Sequence, residues 1–274
     1  MSKKTENILI TGGAGLVGTR LLPRLVAAGH DCRVLLRSGK TAAAVLTAVS
    51  GDLLDADTLA GAVTGITTII HLAAVFRSPD ADLIWKSNLE GTRNLIDVAK
   101  RYAPGVRFIM AGTAHVYNSN QPHPGREDDE VAPQHAYPAS KAAAEELLKE
   151  SGLNWSVIRF PFVYGDGDGH LEELPKHVVQ WHPAKRMSTI HHRDIFTALA
   201  IALEGKFDRR IVNIADESPT SIFELLGLIG IQFRFSAEPL NDPWHLQVDA
   251  SLARSLGFQP IVRTVYQAVQ EGLL

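Results

Sequence analysis

The sequence predicts an α/β fold built on a doubly wound parallel sheet, and two patterns carry that prediction. Short apolar runs alternate with helical patterns through the first 160 residues, which is the order of repeated β-α units. These runs show little polar alternation, as expected of strands that are covered on both faces. Glycine and proline then cluster in PFVYGDGDGH (161–170). We therefore predict that residues 1–165 carry the sheet and that residues 166–274 form a small C-terminal lobe, partly interleaved with the first domain.

Each predicted strand is a short apolar segment, and each predicted helix repeats apolar residues at three- and four-residue spacing. The strands are predicted at 7–11, 32–37, 47–50, 67–73, 106–113, 155–160 and 211–215. The helices are predicted at 16–29, 55–63, 83–102, 138–151, 220–229 and 263–274.

Composition favours an ordinary globular protein that acts on a small molecule. The 274 residues are 45% hydrophobic and 21% charged, with a formal charge of -3 and no block of like charges. This balance argues against a nucleic-acid or membrane-surface partner, because both need a basic patch. The longest apolar runs fall well short of the 18 residues of a membrane span. A single cysteine, Cys32, and a start without an apolar segment behind it predict a cytoplasmic protein without an internal disulfide.

The stretch TGGAGLVG (11–18) follows the first predicted strand and opens the first predicted helix. Glycines in such a turn let a pyrophosphate approach the helix N-terminus, where free N–H groups and the helix dipole favour negative charge. The position of the loop within a β-α-β pattern makes it a strong signal for a Rossmann-type dinucleotide-binding domain. The glycines can be read as G-x-G-x-x-G from Gly13 or as G-x-x-G-x-x-G from Gly12.

The end of the second strand predicts NADP(H) as the preferred cofactor, with NAD(H) as the alternative. NAD-binding proteins carry an Asp or Glu about 20 residues beyond the loop, where it accepts bonds from the ribose 2′-OH. This strand instead ends in Arg37, with Lys40 three residues later, and a guanidinium suits a 2′-phosphate. Arg37 could equally be a solvated charge. Asp52, at the end of the next strand, could accept from the adenine amino group or cap a helix.

A tyrosine–lysine pair predicts acid–base chemistry on a carbonyl or an alcohol. Tyr137 and Lys141, in YPASK (137–141), are four residues apart and project from one helix face. A nearby ammonium lowers the pKa of a tyrosine, which makes the phenol a competent general acid or base. Thr113 ends the preceding strand at the carboxyl edge of the sheet, where a hydroxyl can donate to a substrate oxygen. It could also only satisfy a strand-end backbone group.

Six motifs together resemble the extended short-chain dehydrogenase/reductases, the family often labelled NAD-dependent epimerase/dehydratase. The resemblance covers about residues 7 to 200 and is specific for fold and cofactor class but not for substrate. The motifs are TGGAGLVG (11–18), HLAA (71–74), NLEGTRN (88–94), TAHVY (113–117), YPASK (137–141) and RFPFVYGDG (159–167).

The resemblance implies a role for each matching residue. Tyr137 is the implied catalytic acid/base with Lys141 as its helper, Thr113 is the implied second hydroxyl, and Asn88 has an implied structural or proton-relay role. The resemblance also selects the glycine frame that starts at Gly12. The implied cofactor-binding residues are Gly12, Gly15, Leu16, Val17, Gly18, Arg37, Lys40, Asp52, Leu53, Leu72, Ala73, Ala74, Tyr137, Lys141, Pro161 and Val163. Homodimers are common in the family, so a homodimer is an option here.

Departures from the family pattern favour simple hydride transfer. Thr113 is followed by Ala114 and His115, whereas the sugar-nucleotide dehydratases resemble one another in a Thr-Asp-Glu. Phe162 stands where nucleotide-sugar epimerases commonly show an asparagine. The leading hypothesis is therefore an NADP(H)-dependent oxidoreductase that reduces a ketone or aldehyde, or oxidises the alcohol. The alternatives are a nucleotide-sugar 4-epimerase or small sugar-acid dehydrogenase, and a non-catalytic NADP-binding protein.

The substrate pocket is predicted to involve residues that flank these motifs, and no metal site is predicted. The expected lining residues are Phe76, Arg77, His115 and Phe162, with a contribution from 181–195. Arg77 could bind a carboxylate or phosphate, but a solvated loop arginine is the favoured interpretation. The adjacent histidines at 191–192 point apart on a strand, so a metal site there is rejected. The identity of the substrate lies beyond the sequence.

Overall fold

The predicted apolar strands form one central sheet in the computed structural model, which describes residues 6–37 and 47–274. Its strands are β1 (Asn7–Thr11), β2 (Asp31–Leu36), β3 (Thr47–Ser50), β4 (Thr68–His71), β5 (Arg107–Thr113), β6 (Asn154–Phe160) and β10 (Arg210–Asn213). They lie in the order β10-β6-β5-β4-β1-β2-β3. The pairs β1–β2, β1–β4, β2–β3 and β4–β5 are parallel. This is the predicted α/β, doubly wound architecture.

The strand order reverses at β1, because the chain first adds β2 and β3 on one side and then places β4 on the other. In open α/β sheets, ligands bind beyond the carboxyl ends of the strands at such a switch point. The two strands that meet here are followed by the glycine turn and by HLAA, respectively. The topology therefore brings two of the sequence motifs to one edge of the sheet.

Helices connect the parallel strands, as the three- and four-residue spacing predicts. They are α1 (Leu16–Ala27), α2 (Ala60–Val63), α3 (Ala81–Trp85), α4 (Gly91–Tyr102), α5 (Ala136–Glu150) and α7 (His192–Leu203). Two predicted helices differ from the structure. The segment 55–63 is a 3₁₀ turn followed by the short α2, and 83–102 is interrupted by a π-helical turn at Lys86–Glu90.

The chain divides into two compact units. The first comprises the residues up to Gly112, together with Pro133–Ile158 and Ala202–Ile211. Its core is formed by fully buried aliphatic and aromatic side chains from the sheet and the helices, among them Leu9, Ile69, Leu95, Phe108 and Val157. The predicted division at residue 165 stays a prediction.

The second unit comprises Thr113–Ala132, Arg159–Ile201 and Val212–Leu274. It contains β7 (Phe162–Tyr164) paired with β9 (Thr189–His191) and β8 (Arg186–Met187) paired with β11 (Thr220–Ser221). Its short helices are α6 (His170–Glu173), α8 (Ile222–Leu228), α9 (Ser251–Ser255) and α10 (Val265–Gln270). A separate core includes Tyr164, Leu225 and Val265. Throughout the described ranges, no helix has the length and hydropathy needed to cross a membrane.

Candidate functional site: a dinucleotide cavity and a tyrosine–lysine helix

A cavity of about 310 Å³ opens at the switch point of the sheet within the first unit. Seven of the predicted cofactor residues line it, namely Gly12, Gly15, Arg37, Asp52, Leu53, Ala73 and Ala74. Leu16, Val17, Gly18 and Leu72 belong to the same elements but do not line the cavity, and Lys40 lies outside the described residues. Sequence reasoning missed eight further lining residues: Thr11, Gly13, Ala14, Leu35, Leu36, Gly51, Leu54 and Val75, with Ser87 as a ninth.

The glycines of the turn have distinct steric roles. Gly12 has φ +73°, and a Cβ there would lie 2.6 Å from the backbone nitrogen of Ala73, so the turn needs a residue without a side chain. Gly18 packs α1 against the turn, since a Cβ there would overlap the Gly12 carbonyl oxygen and lie 2.6 Å from the Gly13 Cα. Gly13 is constrained by the core, because its Cβ would lie 2.5 Å from Val34 Cγ1.

The turn and the helix that follows fit a bound pyrophosphate. Gly15 is the N-cap of α1 and supplies no side-chain cap, and the first turn of α1 contains no acidic residue. A Cβ on Gly15 would lie 3.2 Å from the Gly12 carbonyl oxygen, so a side chain there would crowd the concave face of the turn. The N–H groups of a helix N-terminus that lacks a side-chain cap favour an anion. The cradle that these glycines leave open is therefore suited to the phosphates of a dinucleotide.

We expect Gly18→Ala to weaken NADPH binding at least about tenfold, which corresponds to ~1.4 kcal/mol. The added methyl group would displace α1 from the turn, because the atoms that it meets are backbone atoms. The matched control is Gly61→Ala, whose Cβ would meet nothing within 4 Å. Fluorescence titration with NADPH would measure both variants. Binding by the Gly18 variant that equals binding by the control would contradict this account of the turn.

Arg37 and Asp52 give the cavity its charged groups. Arg37 follows the last residue of β2 and is exposed at the rim. Asp52 accepts a hydrogen bond from the Leu54 backbone nitrogen at 2.9 Å, so one carboxylate oxygen holds its own turn while the residue lines the cavity. Two alternatives left open by the sequence thus hold together for Asp52, because a turn-forming carboxylate also lies at the site.

Tyr137 and Lys141 lie in the first turns of α5. The ring of Tyr137 contacts the ring of Phe76 edge to face, with 4.6 Å between centroids. Phe76 is 43% exposed, and the guanidinium carbon of Arg77 lies 5.0 Å from its centroid. Arg77 therefore packs on an aromatic ring next to the candidate acid/base.

Lys141 is buried, with only 2% of its surface exposed. Burial lowers the pKa of Lys141 to about 8, although the charge of Glu145 opposes the shift. The ammonium is consequently close to its titration range near neutral pH, and α5 holds it four residues from the Tyr137 phenol.

The pKa of Lys141 predicts a specific dependence of stability on pH. The folded pKa of about 8 lies below the ordinary value of 10.5, so between these values the unfolded chain binds a proton that the folded chain has lost. The free energy of unfolding should therefore rise with pH across this window, by at most about 3 kcal/mol from this group. Urea titrations from pH 7 to 10.5 should show the rise in the wild type relative to Lys141→Met. The exposed Lys149 supplies the control variant Lys149→Met, and parallel curves for wild type and Lys141→Met would refute the prediction.

Asn88 is buried in the π-helical turn and fixes the segment that follows HLAA. Its side chain accepts from the Val75 backbone nitrogen at 2.8 Å and donates to the Val75 carbonyl oxygen at 3.0 Å. It also donates to the Ser140 hydroxyl at 3.0 Å, and Ser140 in turn donates to the Tyr137 carbonyl oxygen at 2.8 Å. Asn88 therefore connects the cavity wall to the first turn of α5.

The remaining predicted site residues belong to the second unit. Thr113 is buried, and its hydroxyl oxygen accepts from the His115 backbone nitrogen at 3.2 Å. Phe162 stacks on His170 with 4.5 Å between ring centroids. Val163, paired with Ile190, and Pro161 are buried. Within the described ranges, no group of three or more histidine, cysteine or carboxylate side chains could hold a metal ion.

Comparisons with known proteins agree with this architecture. A UDP-glucuronic acid decarboxylase 1 from Xenopus tropicalis is 25% identical, over 99% of this chain and 71% of that protein. A 3 beta-hydroxysteroid dehydrogenase/Delta 5-->4-isomerase from Mycobacterium tuberculosis is 29% identical, over 100% and 91%. The crystal structure of UDP-glucose 4-epimerase from Thermotoga maritima with UDP-glucose has a TM-score of 0.81 at 22% identity and covers 96% of each chain.

These relatives carry out different reactions, so the similarity establishes the type of enzyme and not the individual reaction. The likeness to the solved structure supports the Rossmann-type fold. The model of the NAD-dependent epimerase/dehydratase family matches residues 8–215, which is most of the chain. The chain therefore belongs to the NAD-dependent epimerase/dehydratase family and is an enzyme of the extended short-chain dehydrogenase/reductase type.

Proposed function

We propose that the protein is an NADPH-linked oxidoreductase that reduces a ketone or aldehyde to an alcohol. The observation that carries the proposal is the position of Arg37 in the dinucleotide cavity, at the strand end where NAD-binding proteins carry a carboxylate. A guanidinium offers a planar fork of donors to a 2′-phosphate. Reductases draw on NADPH, whereas epimerases keep NAD tightly bound and have no need of a phosphate-binding residue.

The residues of the first unit suit the separate parts of the dinucleotide. The glycine turn and the N-terminus of α1 would hold the pyrophosphate, Arg37 the 2′-phosphate, and Asp52 the adenine amino group. Lys141 would hold the nicotinamide ribose. When bound, the nicotinamide supplies the hydride that reaches the substrate carbon.

Tyr137 is the proposed general acid. Its phenol proton passes to the carbonyl oxygen as negative charge develops there, and the Lys141 ammonium stabilises the phenolate that remains. The Thr113 hydroxyl is the proposed second donor to this oxygen, on the basis of the family resemblance. Its oxygen already accepts from the His115 backbone nitrogen, which leaves the hydroxyl proton to be donated.

Aromatic side chains support a substrate with an apolar face. Phe76 is exposed and touches the ring of Tyr137, so a substrate whose oxygen meets the phenol would pass beside an aromatic ring. Phe162 provides another ring where nucleotide-sugar epimerases commonly carry an asparagine. We further propose that 166–274 is the substrate-binding lobe, that His115 contributes to the pocket, and that Arg77 only supports Phe76.

A substrate panel with both cofactors tests the proposal. Ketones and aldehydes with apolar substituents should be reduced with NADPH, with a kcat/KM at least about tenfold above that with NADH. Nucleotide sugars and small sugar acids form the other arms of the panel. A protein that is purified with NAD⁺ and epimerises a nucleotide sugar without net oxidation would overturn the proposal.

A further inference from the structure

Three buried polar side chains lie between the dinucleotide turn and α5, and the proposed mechanism assigns none of them a role. Thr11 ends β1, His71 ends β4 and Thr92 lies in the first turn of α4. Their exposed fractions are 1%, 0% and 0%. Buried polar groups are expensive unless they are hydrogen-bonded, so their arrangement calls for an explanation.

The hydrogen bonds around His71 fix a single protonation pattern. The Thr92 hydroxyl donates to the Asn88 carbonyl oxygen at 2.6 Å, so its oxygen accepts from His71 Nε2 at 2.9 Å. A neutral imidazole then has a bare Nδ1, which accepts from the Thr11 hydroxyl at 2.7 Å. The Thr11 oxygen completes the chain by accepting from the Ala73 backbone nitrogen at 3.3 Å.

The surroundings keep His71 uncharged. Burial lowers the pKa of His71 to about 3, and the charge of Lys141 lowers it further. The edge of the Phe108 ring packs against it, with 5.8 Å between centroids. The imidazole is therefore neutral across the range in which enzymes work.

Both ends of this hydrogen-bond chain lead to the site. Thr11 directly precedes Gly12, and Ala73 lines the cavity. At the other end, the same turn that supplies the Asn88 carbonyl oxygen carries the Asn88 amide, which bonds Val75 and Ser140. The chain thus connects the dinucleotide turn with the first turn of α5.

We propose that His71, as the neutral Nε2–H tautomer, is a positioning residue that locks the glycine turn to the Asn88 turn through Thr11 and Thr92. This arrangement keeps the dinucleotide turn in register with the helix that carries Tyr137. The kinetic consequences rest on the proposed function, but the tautomer and the effect on NADPH binding do not.

Valine and serine at position 92 separate hydrogen bonding from packing. Thr92→Val keeps the shape but leaves His71 Nε2 without an acceptor, and an unsatisfied buried donor costs about 1–3 kcal/mol. We expect NADPH binding and kcat each to fall about fivefold to tenfold in this variant, while Thr92→Ser recovers most of the loss. The control is Thr64→Val, since Thr64 also bonds the carbonyl four residues before it but does so at the surface. A serine variant that is as impaired as the valine variant, or a valine variant that matches the control, would overturn the proposal.

A double variant tests whether the chain acts as one unit. Thr11→Val and Thr92→Val each break it, so the combined variant should lose no more than about twofold beyond the worse single variant. Losses that multiply would show two independent packing effects and would contradict the proposal.

The tautomer can be read directly in the wild-type protein by ¹⁵N NMR of the histidine side chains. The signal of His71, identified by its absence in His71→Gln, should show a protonated Nε2 and a bare Nδ1 at every pH from 5 to 9. A signal that titrates in this range, or that shows the opposite tautomer, would refute the inference. This readout requires no turnover, so failure to find a reduced substrate would overturn the proposed function alone.

Discussion

Replacing Tyr137 by phenylalanine should lower kcat by about 10³-fold, within the 10²–10⁴ range of general acid–base catalysis. The variant keeps the ring that packs on Phe76 but removes the proton that the proposed reaction delivers to the substrate oxygen. The affinity for NADPH should stay within about twofold, because the glycine turn and Arg37 are untouched.

Steady-state kinetics and fluorescence titration measure the two quantities separately. Tyr102→Phe is the matched control, since Tyr102 is an exposed tyrosine at the end of α4, away from the cavity residues. A Tyr137 variant that retained more than about a tenth of the wild-type kcat would exclude the phenol as the acid.

Replacing Arg37 by alanine should lower kcat/KM with NADPH about 10- to 100-fold and change kcat/KM with NADH less than about threefold. The reason is that a charge-assisted bond to the 2′-phosphate is lost, whereas NADH has no phosphate at that position. Arg37→Asp should go further, because a carboxylate there repels the phosphate and accepts from the ribose hydroxyl of NADH.

The ratio of kcat/KM for the two cofactors is the decisive quantity, since a general loss of fold would lower both values. The exposed Arg101 at the end of α4 provides the control variant Arg101→Ala. Equal losses with NADPH and NADH in the Arg37 variants would contradict the assignment of a phosphate-binding role.

The sequence predicts the sheet well because its strands are apolar on both faces. Even the edge strand β3 begins and ends at the predicted residues, 47 and 50. The helix prediction over 83–102 was wrong in one respect, because apolar periodicity does not distinguish an α-helix from a helix with a π-helical turn. The Asn88 side chain in that turn bonds Val75 and Ser140, which are distant in sequence, and so local spacing carries no signal for it.

The segment 55–63 shows a second limit of local patterns. Its spacing predicts one helix, but the Thr58 hydroxyl donates to the Asp55 carbonyl oxygen at 2.7 Å and its oxygen accepts from the Asp52 backbone nitrogen at 3.0 Å. Such side-chain bonds compete with helical ones, and the chain forms a 3₁₀ turn before the short α2.

The site itself was partly visible in the sequence. The glycine frame and the strand-end residues Arg37 and Asp52 were identified from their places in the β-α pattern, and all line one cavity. Residues such as Val75 and Ser87 were missed because they reach the cavity only through packing. The role of the His71 side chain was also missed, although a histidine at the end of an otherwise apolar strand was a signal that it is buried with partners.

The central claim is that this chain transfers a hydride from NADPH to a carbonyl carbon and a proton from Tyr137 to the oxygen. The most direct measurement uses NADPH carrying deuterium at the transferable C4 position, with the best carbonyl substrate from the panel. We expect one deuterium in each molecule of alcohol and one NADP⁺ formed per alcohol, in the wild type but not in Tyr137→Phe. A product without deuterium, or a converted substrate without net formation of NADP⁺, would contradict the account.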